Sequence, residues 1–114
     1  GTNSTSTTNC IQGSAKAWVQ FTGSTAAIRA SYNVSSVTRS STGTFLINLT
    51  NALADANYSV IGCIKPTTGQ TGTNARAVNV HWNSGQAAGY VNIVTATSSA
   101  GYEDPEFVYV AIFR

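Results

Sequence analysis

Charge is the scarcest property of this chain. Of its 114 residues only ten are charged, six basic and four acidic, leaving a formal net charge of +2. Nucleic-acid binders normally concentrate Lys and Arg in one stripe. Here Lys16, Arg29, Arg39, Lys65, Arg76 and Arg114 are scattered along the sequence, so nucleic acid is not an expected partner. Methionine is absent and proline occurs twice. No apolar run approaches the roughly 18 residues that a spanning helix needs, and no apolar segment of the signal-peptide kind opens the sequence. Membrane insertion is therefore not expected. There is one histidine, His81, and there are two cysteines, Cys10 and Cys63.

These shortages limit chemistry as well. A Ser-His-Asp arrangement needs an acid oriented behind the histidine, but Asp55 and Asp104 fall in loops unrelated to the VNVHW strand that carries His81. Glycoside hydrolysis by two carboxylates needs them held apart across a cleft. Three of the four acids, Glu103, Asp104 and Glu106, instead crowd one turn, and Asp55 is distant. That turn reads as solvated acid leading into the last strand, with Pro105 keeping Asp104 extended. Neither His-x-His nor Cys-x-x-Cys occurs, so no metal site and no cofactor is expected. The chain reads as non-enzymatic.

What the sequence does hold is small, neutral and polar: 16 Thr, 13 Ser and 10 Asn, together with ten Gly. Such a mixture favours strands and turns over helices. Four Asn-x-Ser/Thr sequons, at Asn3, Asn33, Asn48 and Asn57, are near the number this composition produces by chance and do not argue for glycosylation. Residues 1–14, GTNSTSTTNCIQGS, form a low-complexity leader of linker type. Residues 15–114 are long enough for one domain with one core. Cys63 lies in an apolar run and is expected to pack as a small hydrophobe. A disulfide to Cys10 is the less favoured outcome.

From residue 15 the pattern alternates with period two and is broken by turn residues every 8 to 12 positions. KAWVQFT sets Ala17, Val19 and Phe21 on one face, with Trp18 on the other, and pairs through TGST with AAIRASYN. A second hairpin turns at Arg39–Gly43 into TFLINLT, where Phe45, Ile47 and Leu49 alternate with polar or outward residues. NALADAN is a compact connection in which Asp55 and Asn57 suit an Asx-type turn. NYSVIGCIK is apolar on both faces and is expected at the centre of a sheet. ARAVNVHWN, YVNIVTAT and FVYVAIFR complete the count. The expected fold is an all-β antiparallel β-sandwich of seven or eight strands.

The last strand poses a problem. Phe107 to Phe113 is apolar throughout, although a terminal strand usually lies at a sheet edge with one wet, polar face. Either it is a central strand between two layers of the same chain, or its second face meets another chain.

Four stretches, AKAWVQFTG at Ala15–Gly23, IRASYNVSSVT at Ile28–Thr38, LADANYSVIG at Leu53–Gly62 and VYVAIF at Val108–Phe113, occur in this order. Together they resemble the C-terminal domain of bacteriophage and prophage tail fibres, over about residues 15 to 114. The resemblance implies a β-sandwich tip assembled as a homotrimer on the virion. Such a tip acts outside the cell by attaching to a bacterial surface receptor, either a polysaccharide or an outer-membrane protein. The leader would then be the end of a shaft linker. In such a trimer one face of the last strand can pack on its own core while the other meets neighbouring chains, which makes Phe107, Val108, Tyr109, Val110, Ile112 and Phe113 trimer-interface candidates. Trp18, on the polar side of its strand, joins them as an exposed platform or a subunit contact.

No receptor-binding residue is carried over, because KPTTGQTGTNAR and HWNSGQAAG follow no family pattern. The candidates lie in three loops: Lys65, Thr67, Gln70 and Asn74 in Lys65–Asn74, the first choice on length and polarity; Asn83 and Gln86 in Asn83–Gly89; and Tyr102 and Glu103 in Ser98–Glu106. Trp18, Trp82, Tyr90 and Tyr102 could stack on sugar rings. In a plain meander the middle loop would lie at the opposite end from the other two. A monomeric carbohydrate-binding module and a purely structural fibre cap are the competing readings.

Overall fold

A computed structural model describes residues 14–67, 76–97 and 101–114. These residues form ten strands: β1 (Ala17–Thr22), β2 (Ile28–Tyr32), β3 (Val34–Ser41), β4 (Thr44–Leu49), β5 (Ser59–Lys65), β6 (Arg76–Val80), β7 (Gln86–Ala87), β8 (Tyr90–Thr97), β9 (Gly101–Tyr102) and β10 (Phe107–Phe113). All pairings are antiparallel. One sheet runs β2-β1-β10-β5. The other runs β3-β4-β8-β6, with β7 and β9 also pairing with β8. One of the two is curled into a half-barrel. The all-β expectation holds, and β7 and β9, two residues each, are the additions to the eight longer strands.

Alternation in sequence becomes two faces in space, because successive side chains on a strand point to opposite sides. Ala17, Val19 and Phe21 on β1, Val108, Val110 and Ile112 on β10, Phe45, Ile47 and Leu49 on β4, and Val91 and Ile93 on β8 are all buried in one cluster between the sheets. Phe21 and Phe45 meet edge to face across it, with ring centroids 4.9 Å apart, a geometry that suits the ring quadrupoles. No buried side-chain polar atom among the described residues lacks a hydrogen-bond partner.

Two expectations about strand placement need correcting. NYSVIGCIK is not central: β5 is an outer strand of the four-stranded sheet, and its apolar character on both faces has another cause, taken up below. Cys63 is exposed rather than packed inside. Cys10 lies outside the described residues. The terminal strand is one of the two internal strands, hydrogen-bonded to β1 on one side and β5 on the other. No second layer of the described chain covers its outer face, where Tyr109, Ala111 and Phe113 remain half-buried.

The two hairpins form as read, but the link between them does not continue the alternation. Asn33 adopts a left-handed backbone, φ 56°, which Asn tolerates better than most residues. Its side-chain amide donates to the carbonyls of Lys16 and Asn51, and its Oδ1 accepts from Asn51 N–H at 2.8 Å. This bend carries the chain from the four-stranded sheet to the six-stranded one. The expected Asx turn is present, with Asn57 N–H donating to Asp55 Oδ1 at 2.8 Å.

At the other end of the strands, the backbone of the loop preceding β10 presses against Gly23. Gly23 N–H donates to the Glu106 carbonyl at 3.1 Å. A Cβ on Gly23 would stand 2.0 Å from the Pro105 oxygen, so only glycine permits this approach.

Candidate functional site

The feature that stands out is the outer face of the four-stranded sheet. The register aligns Tyr32, Trp18, Ala111 and Ile61 in one row across all four strands. The next row reads Ala30, Gln20, Tyr109 and Cys63. Neither row carries a charge. Tyr32, Trp18 and Ile61 are 57, 41 and 61 % exposed. Between them an open groove of about 460 Å³ is lined by Trp18, Gln20, Ile61, Cys63, Tyr109 and Ala111. With strands about 4.8 Å apart and about 3.4 Å per residue, four strands of six residues make a face of roughly 400 Å² in projection. On soluble monomers an apolar patch of that size is often functional.

This face explains β5. Its apolar residues point two ways because Val60 and Ile64 pack against the core while Ile61 and Cys63 join the outer face. It also divides the residues expected at a trimer interface. Val108, Val110 and Ile112 are 0, 4 and 1 % exposed and belong to the chain's own core, so they are removed from that set. Trp18, Phe107, Tyr109 and Phe113 remain on the outward side. Tyr32, Ile61 and Cys63 were not singled out from the sequence. The clue was the double apolar character of β5, which becomes meaningful only once its pairing with β10 fixes parity.

The rim of this face is where charge begins. The Arg29 guanidinium lies 4.0 Å from the Phe107 ring centroid, and the Lys65 ammonium lies 5.5 Å from it. Lys65 also pairs with Glu106. Nearby, Arg39 donates two hydrogen bonds to Asp104 Oδ2, at 2.7 and 3.0 Å. Asp104 Oδ1 accepts from Gly43 N–H at 2.7 Å. The Arg39 guanidinium is held protonated more firmly than usual, first by its hydrogen bond to Asp104. The acidic turn is therefore engaged in ion pairs and not simply solvated.

Arg29, Arg39, Lys65, Glu103, Asp104 and Glu106, scattered in sequence, thus gather at one end of the molecule. That end also holds the turns at Gly23 and Gly43. Among the described residues no cluster of His, Cys, Asp and Glu could hold a metal ion.

The opposite end is nearly neutral. Arg114 reaches Asp55 with bonds of 2.8 and 3.1 Å, and this pair, helped by Asn57 N–H, lowers the Asp55 pKa to about 2. The Tyr58 hydroxyl lies 2.8 Å from the carbonyls of both Ala87 and Tyr90. Burial is the first cause that raises its pKa. Gln86, a receptor candidate on sequence grounds, donates to the carbonyls of Ala56 and Tyr58 and so braces this end.

Asn83, His81 and Trp82 lie here too, in the turn between β6 and β7. Lys65, Tyr102 and Glu103 are at the charged end, opposite Asn83 and Gln86. Thr67 is exposed. Gln70 and Asn74 lie outside the described residues.

Comparison with known proteins adds no identity: no family model, no curated protein and no solved structure matches this chain.

Proposed function

We propose that this chain is the tip module of a phage tail fibre. It assembles as a homotrimer through the outer face of the four-stranded sheet and attaches, without catalysis, to a bacterial surface receptor. One observation carries the reading. The four stretches that resemble tail-fibre tips contain β1, β2, most of β5 and nearly all of β10, all four strands of that one sheet, and reach the other sheet only through Val34–Thr38 of β3. Of the segments that follow no family pattern, HWNSGQAAG carries β7 of the other sheet, and KPTTGQTGTNAR begins at Lys65, the last residue of β5. A shared association surface with unshared contact loops is the division of labour an adsorption tip needs.

The physical driving force is burial. Removing apolar area from water contributes about 25 cal/mol per Å², and Trp18, Tyr32 and Ile61 offer large exposed side chains without a charge to desolvate. Three copies also multiply a weak receptor contact, since the second and third bind at high effective concentration.

The test is adhesion of fluorescently labelled domain to a panel of bacterial strains. Saturable binding to particular strains, displaced by unlabelled domain, is the expected result. Failure to bind any strain, or equal binding to all of them, would overturn the attachment role.

A further inference from the structure

We infer that Trp82, with the His81 ring beside it, is a stacking platform for a neutral hexose-containing glycan. The inference deepens the attachment reading and rests on it for its biological meaning.

Trp82 is 84 % exposed, more than any other large hydrophobic residue described. It sits in a turn that is unusually well tied for so small a loop. Gly85 N–H donates to the His81 carbonyl at 3.0 Å, and Gly85, at φ +43°, passes its own carbonyl to Asn92 N–H at 2.8 Å. His81 N–H donates to the Asn92 carbonyl at 2.9 Å. Within the turn, His81 Nδ1 accepts from the backbone N–H groups of Asn83 and Ser84, both at 3.2 Å, with Ser84 Oγ 3.1 Å away. Accepting at Nδ1 leaves the neutral ring its proton on Nε2. The His81 and Trp82 rings are nearly parallel, 20° apart, with centroids separated by 6.1 Å.

At that spacing the rings pair as offset-stacked aromatics do, and the indole, 84 % exposed, still offers an open flat surface. The turn holds this surface in place before any ligand arrives, which removes part of the ordering cost of binding.

Size, charge and position decide the occupant. A protein partner normally needs about 800 Å² on each side, whereas one tryptophan offers at most about 250 Å². The C–H face of one sugar ring matches a single indole, and Asn83 and Ser84 supply neutral hydrogen-bonding groups at its edge. Residues 77–97 include no Asp, Glu, Lys or Arg. Elsewhere at this end Asp55 and Arg114 are matched to each other, and Lys16 stands just before β1 in the other sheet. The turn itself carries no charge that would select an acidic sugar. The turn also leaves the six-stranded sheet, so covering the outer face of the other sheet does not cover the platform.

The whole chain should be applied to a printed array of neutral and acidic bacterial glycans, beside Trp82→Ala and Trp82→Phe. The expected result is binding to neutral hexose-containing glycans, weakened about tenfold or more by Trp82→Ala. Trp82→Phe should keep most of it, with native mass and melting unchanged in both variants. A blank array, binding confined to acidic glycans, or wild-type binding by Trp82→Ala would each overturn the inference. A loss of binding that comes with a changed native mass would also overturn it, by making the turn a subunit contact.

The strain-adhesion test separates the two proposals. Trp82-dependent array binding without adhesion to any strain would leave the platform standing and remove the attachment role. Adhesion that Trp82→Ala does not weaken would do the reverse.

Discussion

The last strand has two apolar faces with different fates. On one, Val108, Val110 and Ile112 meet Phe45, Ile47 and Val91 in a closed core. On the other, Tyr109 and Ala111 line an open groove beside Trp18 and Ile61. Composition does not distinguish the faces; what distinguishes them is whether this chain supplies a covering layer. The inner face is completed by the other sheet, and the outer one is left uncovered by the described residues. In the proposed account, two further copies of the same chain cover it.

The comparison can be broken or sharpened by mutation on either side. The largest effect belongs to the inner face. Phe21→Ala removes a fully buried ring that abuts Phe45, and cavities of that kind cost about 3–5 kcal/mol. Urea unfolding followed by circular dichroism should show that loss. A cost under about 1 kcal/mol would mean that this interior is not the tightly packed face described.

The outer face should respond in another way. Trp18→Gln combined with Ile61→Thr leaves the core untouched, so the folded chain itself should lose only about 0.5 kcal/mol or less per site. Any further loss should depend on protein concentration, as assembly does. Native mass should fall from three chains to one. An unchanged mass would move the seam elsewhere.

The smallest effect concerns acid. Asp55 titrates at about 2, below its ordinary 3.8, because Arg114 and Asn57 N–H favour its charged form. A lowered carboxyl pKa stabilises the fold above the ordinary value, and that share is lost as pH falls from near 3.8 towards 2. The pair is solvent-exposed, so its contribution is slight. Asp55→Asn should flatten the stability profile within that window and leave the rest unchanged. Urea midpoints at a few acidic pH values would check this, and a wild-type drop confined to higher pH would contradict it.

The inner face was legible in the sequence because period-two alternation is a local property. Ala17-Val19-Phe21 and Phe45-Ile47-Leu49 could be read directly, and the terminal run raised the question of its second face. Which strands flank it was not legible, because strand order is set by pairing between residues far apart in sequence. The edge position of β5 and the exposure of Cys63 follow from β5 pairing only with β10 in its sheet. The gathering of Arg29, Arg39, Lys65 and the acidic turn at one end has the same non-local origin. A bend at Asn33–Val34 was legible as a break in the alternation, but the left-handed backbone of Asn33 that makes it, and so the parity of the strands after it, was not. Trp82 was visible as an aromatic residue, but its exposure depends on the bonds that lock its turn.

The most direct test of the central claim is the native mass of the whole chain at micromolar concentration, by light scattering on a sizing column. The account predicts three times the 11.9 kDa chain mass, with the outer face closed between copies. A monomer would contradict it, leaving Trp18, Tyr32 and Ile61 in water and bringing forward the lone carbohydrate-binding module.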